Sequence, residues 1–164
     1  MSSANPAATQ ESHVTLGCFQ VGDNVYALDV SSVREVVRWQ PITPLPKAPE
    51  LIDGVIDLRG MIVPVIDLGR ALTGRAIEPT VDTRIAVADV DGLLMGLIVD
   101  AAIEVLQVEV SALDDPPALV TQAGYDATRA VVRRADAPPI LVLSLDYVLE
   151  SVYRSTLVSP EEAS

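Results

Sequence analysis

Apolar residues alternate with small or polar ones along most of this chain, in short runs cut by turn residues. Val14-Thr15-Leu16-Gly17-Cys18-Phe19-Gln20-Val21 is one such run, and Val25-Tyr26-Ala27-Leu28-Asp29-Val30 answers it across Gly22-Asp23-Asn24. A period of two puts one set of side chains on one face, as in a strand, and Gly, Asp and Asn tolerate the turn. Ser31 and Ser32 then offer a cap, which predicts one helical turn over Val33–Val37. Pro41, Pro44, Pro46 and Pro49 make the next stretch an extended connector, because a helix interior excludes proline.

Gly54 to Leu68 reads as two apolar strands around Arg59-Gly60, with Asp67 placed to cap a short helix, Leu68–Leu72. Thr73–Asp82 is a polar linker. Arg84–Val90 and Leu93–Val99 flank Asp91-Gly92, the strongest hairpin signal in the chain. Ala101–Val108 is a further strand and Ser111–Tyr125 a loop. Arg129–Arg134 and Ile140–Leu145 make a last hairpin around Asp136-Ala137-Pro138-Pro139, and a helix capped by Asp146 runs to Tyr153. Many short strands at close spacing predict an all-β barrel or sandwich.

An internal repeat refines this. The segment from Ala27 to Val36 aligns without gaps with that from Gly96 to Val105, each following a hairpin turn and ending in Glu-Val. The Arg59-Gly60 hairpin with its Asp67 helix likewise parallels the last hairpin with its Asp146 helix. The prediction is two small β-barrel lobes, each too small to stand alone and therefore sharing a core. Residues 1–13 read as a loose tail, 14–154 as one domain of two lobes, and 155–164 as a flexible acidic tail.

Composition narrows the function. The sequence is 49% hydrophobic but 4% aromatic, so the core is built from Val, Ile, Leu and Ala, which suits a pleated sheet. A net charge of −12 repels a phosphate backbone and an anionic membrane surface, so neither nucleic acid nor membrane insertion is expected. Cys18 is the single cysteine; it cannot form an intrachain disulfide and reads as a small core residue. No basic leader precedes an apolar block and no apolar run reaches membrane-spanning length, which makes the cytoplasm the expected compartment.

Catalytic chemistry finds few partners. His13 is the single histidine, so neither a nucleophile–base pair nor a Cys/His zinc site is evident, and no phosphate-binding glycine loop appears. No cofactor is expected. Asp53 with Asp57 and Asp89 with Asp91 sit four and two apart, at strand spacings that share a face. They leave open a small acidic β-barrel hydrolase using a divalent metal. Roles in turns and strand starts are the plainer reading. Trp39, beside the proline-rich connector, is either core packing or a platform for a peptide or carbohydrate.

Arg59 is the one cation between Gly54 and Leu68. An arginine among so much apolar sequence points to presentation to a partner. That hairpin, the Phe19–Ala27 strand pair, Val33-x-Glu35-Val36-Val37, Pro44-Leu45-Pro46-x-Ala48-Pro49, Met95–Asp100 and Leu141–Asp146 occur in an order that resembles the CheW family. These are adaptors coupling chemoreceptors to a histidine kinase. The resemblance implies two packed SH3-like β-barrels and a non-enzymatic scaffold, monomeric alone, that is recruited to membrane-associated receptor arrays. It implies two partners: a chemoreceptor's cytoplasmic tip and the regulatory module of a CheA-type histidine kinase. A paralogue serving pilus- or gliding-based motility is the sibling reading.

Carried over by motif, Val33, Glu35, Val36 and Arg59 would line or flank the receptor groove, with Ile85 and Gly96 as its other wall. Glu35 and Arg59 would pair at its rim. Gly54, Gly60 and Pro64 would serve the kinase interface or the hairpin's structure, and Gly54 should tolerate no side chain. Three positions depart from the family's pattern: Asp57 where Asn is frequent, Asp136-Ala137-Pro138-Pro139 in place of a glycine turn, and Ala130 in place of a glycine.

Overall fold

A computed structural model describes residues 12–116 and 127–152. Its strands are β1 (His13–Val21), β2 (Asn24–Asp29), β3 (Val33–Arg38), β4 (Ile52–Leu58), β5 (Met61–Asp67), β6 (Arg84–Val90), β7 (Leu93–Val99), β8 (Ala101–Glu109), β9 (Leu113–Asp114), β10 (Thr128–Val132) and β11 (Ile140–Leu143). Helix α1 is Leu68–Thr73 and α2 spans residues 145–152. Single 3₁₀ turns, Val30–Ser32 and Val110–Ala112, precede β3 and β9. The expected tails fall almost wholly outside the described residues, as does much of the loop assigned to 111–125.

Two sheets form, one in the order β8-β1-β2-β11-β10-β9 and the other β3-β6-β7-β5-β4. Apart from β9, which has no counterpart in the five-stranded sheet, the orders correspond: β8 with β3, the β1–β2 hairpin with β6–β7, and β11–β10 with β5–β4. In each sheet one contact is parallel, β2 with β11 and β5 with β7. The repeat seen in the sequence is therefore a repeat of topology, but its halves are interlaced. After its first hairpin each half crosses over: β3 leaves β2 to join β6, and β8 leaves β7 to join β1. Each sheet takes one hairpin from one half and a crossing strand plus a second hairpin from the other.

This exchange fuses the two lobes. The largest core cluster joins Phe19, Val21, Tyr26 and Leu28 of the first sheet to Ile66, Ala86, Ala88, Met95 and Leu97 of the second. A smaller cluster fills each lobe: Leu16, Cys18 and Ile140 in one, Ile56, Val63 and Ile85 in the other.

Local expectations hold except in three places, one of them β9, which forms within the stretch read as a loop and pairs with β10. The residues after Ser32 are a strand. Asp29, whose carboxylate accepts from Ser31 N (2.9 Å) and Ser31 Oγ (2.8 Å), caps only the 3₁₀ turn that ends at Ser32. Val33, Val36 and Val37 are β-branched, and β6 needs a partner along that edge, so tertiary pairing overrides the weak helical signal. The cap of α2 is Ser144, whose Oγ accepts from Tyr147 N at 3.2 Å, while Asp146 sits inside the first turn. Asp67 caps α1 as expected: Oδ1 accepts from Arg70 N (3.1 Å). Its Oδ2 accepts from Ile77 N (2.9 Å), tying the linker down.

Candidate functional site

The two crossing strands face each other across a half-open recess of about 290 Å³. Val33 and Val36 of β3 form one wall, Ala102, Ile103, Glu104 and Val105 of β8 the other, and Gly17, Cys18 and Phe19 of β1 contribute between them. Val36, Ile103 and Val105 are 41%, 45% and 66% exposed, more apolar surface than a strand needs for solubility. Strand parity would send Val33 and Val36 to opposite faces. A register shift between Val33 and Glu35 inserts the extra residue that brings both valines to the recess.

The repeat explains the opposite wall. Its alignment pairs Val33 with Ala102 and Val36 with Val105, so equivalent residues line both sides. Val105, absent from the motif carry-over, was legible only through that alignment; Ile103 aligns with Arg34 and had no signal in the sequence. Glu35 and Glu104 are equivalent too, and each meets an arginine from the hairpin on its side: Arg59 for Glu35, and Arg134 for Glu104 at 3.9 Å.

The Glu35–Arg59 contact is formed. Arg59 (φ 52°) and Gly60 (φ 89°) both have positive φ, as a type I′ hairpin turn requires. Asp57 Oδ1 accepts from Gly60 N at 2.7 Å and holds the turn, so an Asp serves well where the family often has Asn. Glu35, by its hydrogen bond and its charge, raises the already high pKa of the exposed Arg59. Neither residue lines the recess. Neighbours in a strand face opposite sides, so the pair flanks the recess through the adjoining Val36.

Ile85 and Gly96 do not line this recess. Ile85 is fully buried in the second lobe's cluster. A Cβ on Gly96 would stand 2.8 Å from Ile85 Cγ2, so this glycine permits close core packing. Gly54 is structural: a Cβ there would lie 2.2 Å from the carbonyl oxygen of Thr43, which bridges to Val55 along the outer edge of β4. Val55 N and O both bond Thr43, so the Val55–Pro64 pair is a non-hydrogen-bonded one in the β4–β5 ladder. Pro64 thus sits in a strand without removing a ladder bond there, and pairing with β7 begins at Val65.

The carboxylate pairs are dispersed. Asp53 ion-pairs with Arg70 at 2.5 Å, and a register shift between Ile52 and Gly54 breaks its parity with Asp57. Asp89 accepts from Gly92 N (2.9 Å) and meets Arg34 (3.4 Å), so it serves the turn that Asp91 (φ 52°) occupies. Among the described residues no three His, Cys, Asp or Glu side chains converge as a ligand set. Arg134 donates from Nε and Nη2 to Pro138 O (3.0 and 2.9 Å), which closes the final hairpin without a glycine. Trp39 packs against the second lobe's cluster.

The recess between the two crossing strands is apolar and bordered by charged pairs. Fold and site define a protein-docking module of two interlaced β-barrels. A family model described as a CheW-like domain matches residues 15–152. A chemotaxis protein CheW of Rhizobium meliloti (strain 1021) is 35% identical over 147 residues, covering 87% of this chain and 94% of that protein. The protein FrzA of Myxococcus xanthus is 33% identical over 100 residues, 61% of this chain and 62% of its own. The crystal structure of the scaffolding protein TtCheW from Thermoanaerobacter tengcongensis superposes with a TM-score of 0.71 at 33% identity, covering 80% of this chain and 84% of that one. The chain belongs to the CheW-like family.

Proposed function

We propose that this chain is a non-enzymatic chemotaxis scaffold that couples a chemoreceptor's cytoplasmic tip to the regulatory module of a CheA-type histidine kinase. The observation that carries the reading is the recess walled by Val33 and Val36 on one side and Ile103 and Val105 on the other, in a chain of this family. A receptor's helical tip offers an apolar stripe that such a wall buries, at about 25 cal/mol per Å². The flanking Glu35–Arg59 pair sets register more than affinity. The kinase module, itself homologous by the family resemblance, takes a different face, with Gly54, Gly60 and Pro64 shaping the hairpin near it. No helix among the described residues is long and apolar enough to cross a membrane. Likeness to FrzA favours, as a second reading, the same scaffold role in another receptor–kinase pathway.

Titrating the protein separately with a receptor-tip fragment and with the kinase module tests this. Wild type should bind both. Val36→Glu, which puts an unpaired charge into the recess, should weaken the receptor limb about tenfold or more, and Arg59→Ala several-fold. The kinase limb should be retained in both variants. Wild type that binds neither partner would reduce the likeness to one of fold.

A further inference from the structure

The recess described above lies at the start of β3; a second one, of about 350 Å³, lies at its other end, lined by Arg38, Trp39, Thr80, Val81, Thr83 and Arg84. Arg38 and Arg84 are direct partners across the β3–β6 ladder. Their side chains leave the same face from Cβ atoms about 5 Å apart, where like charges repel. The sequence has 23 acidic residues against 11 Lys and Arg, and Arg34, Arg59, Arg70, Arg133 and Arg134 each meet a carboxylate. Among the described residues, Arg38 and Arg84 meet none, nor do Lys47, Arg75 and Arg129, but only Arg38 and Arg84 stand paired with each other across a ladder. Asp82, on the adjoining loop, ion-pairs with neither.

The recess is also built before anything enters it. Thr83 is buried; its carbonyl accepts from Trp39 N (3.3 Å), and its Oγ1 accepts from Thr80 N (2.8 Å). Arg84 Nη1 donates to Val81 O (2.8 Å) and Thr83 O (2.9 Å), which leaves its remaining donors available. The indole of Trp39 rests against the second lobe's core, while Val81 stands 90% exposed beside it. A rigid pocket with two repelling guanidiniums and an apolar flank loses little entropy on binding a group that neutralises the pair.

We propose that this recess docks an acidic peptide segment of a partner protein. An Asp or Glu carboxylate would lie between Arg38 and Arg84, and a neighbouring aliphatic side chain would cover Trp39 and Val81. Paired guanidiniums match the two oxygens of a carboxylate. A small inorganic anion would leave the indole and valine uncovered, and a polyanion would meet the net charge of −12.

Trp39 is the single tryptophan, so its fluorescence reads this recess alone. The full-length protein is titrated with the capped peptide Gly-Leu-Glu-Asp-Leu-Gly, with its Gln/Asn counterpart, and with inorganic phosphate. The acidic peptide should give a saturable change that Arg38→Gln weakens roughly tenfold and that about 0.5 M salt also weakens. Arg38→Gln should melt at the same temperature as wild type or higher, because it relieves repulsion across the ladder; a merely structural arginine would lower it. Arg38→Lys, which keeps the charge but not the fork, should lose part of the affinity and covers the case in which the glutamine variant folds poorly. Equal affinity in the variants, equal binding of the amide peptide, an equal response to phosphate, or no change at millimolar acidic peptide would each overturn the proposal.

Discussion

Single residues in this protein are judged by what their polar atoms reach. Asp67, 3% exposed, survives burial because its two oxygens answer two backbone donors, Arg70 N and Ile77 N. Asp53 is less comfortable. Burial raises its carboxyl pKa above the ordinary value, Asp67 adds to the rise, and Arg70 opposes it. A raised pKa means the folded state holds this proton after the unfolded chain has released it, so stability falls as pH rises through that window. Asp53→Asn removes the effect. Wild type should therefore lose stability relative to Asp53→Asn as pH climbs from below the unfolded carboxylate pKa of about 4 through the higher folded value. Beyond that value the difference should be flat. Melting temperatures of both proteins across pH check the sign, and a difference that grows with pH in favour of wild type would refute it. Cys18, its pKa raised chiefly by burial and then by Glu104, is an unreactive core thiol.

At the scale of the element, the β4–β5 hairpin shows two glycines with different duties. Gly54 gives way to the backbone of Thr43, and no rotamer can relieve a clash with a carbonyl oxygen 2.2 Å from a Cβ. Gly60 has open space beside it and is needed for its positive φ. Gly60→Ala should cost about 1 kcal/mol for the left-handed backbone. Gly54→Ala should cost more, about 2 kcal/mol or above, because the Thr43–Val55 bridge must shift. Denaturant midpoints at constant slope measure both, and a Gly54→Ala no worse than Gly60→Ala would contradict the assignment. The same hairpin displays Arg59 because Asp57, Gly60 and the I′ geometry hold its tip, while α1 behind it is closed by Gly74 in the left-handed region.

Across the whole molecule, interlacing decides how the fold holds together. Neither half can complete a sheet: β3 lies against β6 and β8 against β1. The largest cluster draws on both sheets. Unfolding should therefore be a single cooperative transition, and the two halves of the chain, divided in the 74–82 linker and expressed separately, should each lack stable tertiary structure. Near-ultraviolet circular dichroism of each half, and of the two mixed, checks this; a half that folds alone would show that the crossing strands are not essential. The same interlacing creates the recess, because each crossing strand contributes one wall of it.

Nine of the eleven strands, the hairpin turns, α1 with its Asp67 cap and the burial of Cys18 were legible in the sequence because they are local: a period of two, a turn dipeptide and a cap act over a few residues. The internal repeat was legible too, and with it the equivalence of Val36 and Val105. What followed Ser32 was not, since a short valine-rich segment takes its structure from the strand it meets, here β6. Ile85 and Gly96 looked like wall residues by position in a motif, yet depth in a core depends on which sheet lies across. The Glu35–Arg59 pair was anticipated through the family resemblance, whereas tertiary structure alone decided that the halves exchange strands, that Glu104 reaches Arg134 and that Arg38 faces Arg84. Each of these depends on register between segments far apart in the chain, and register is set by the packing of two faces at once.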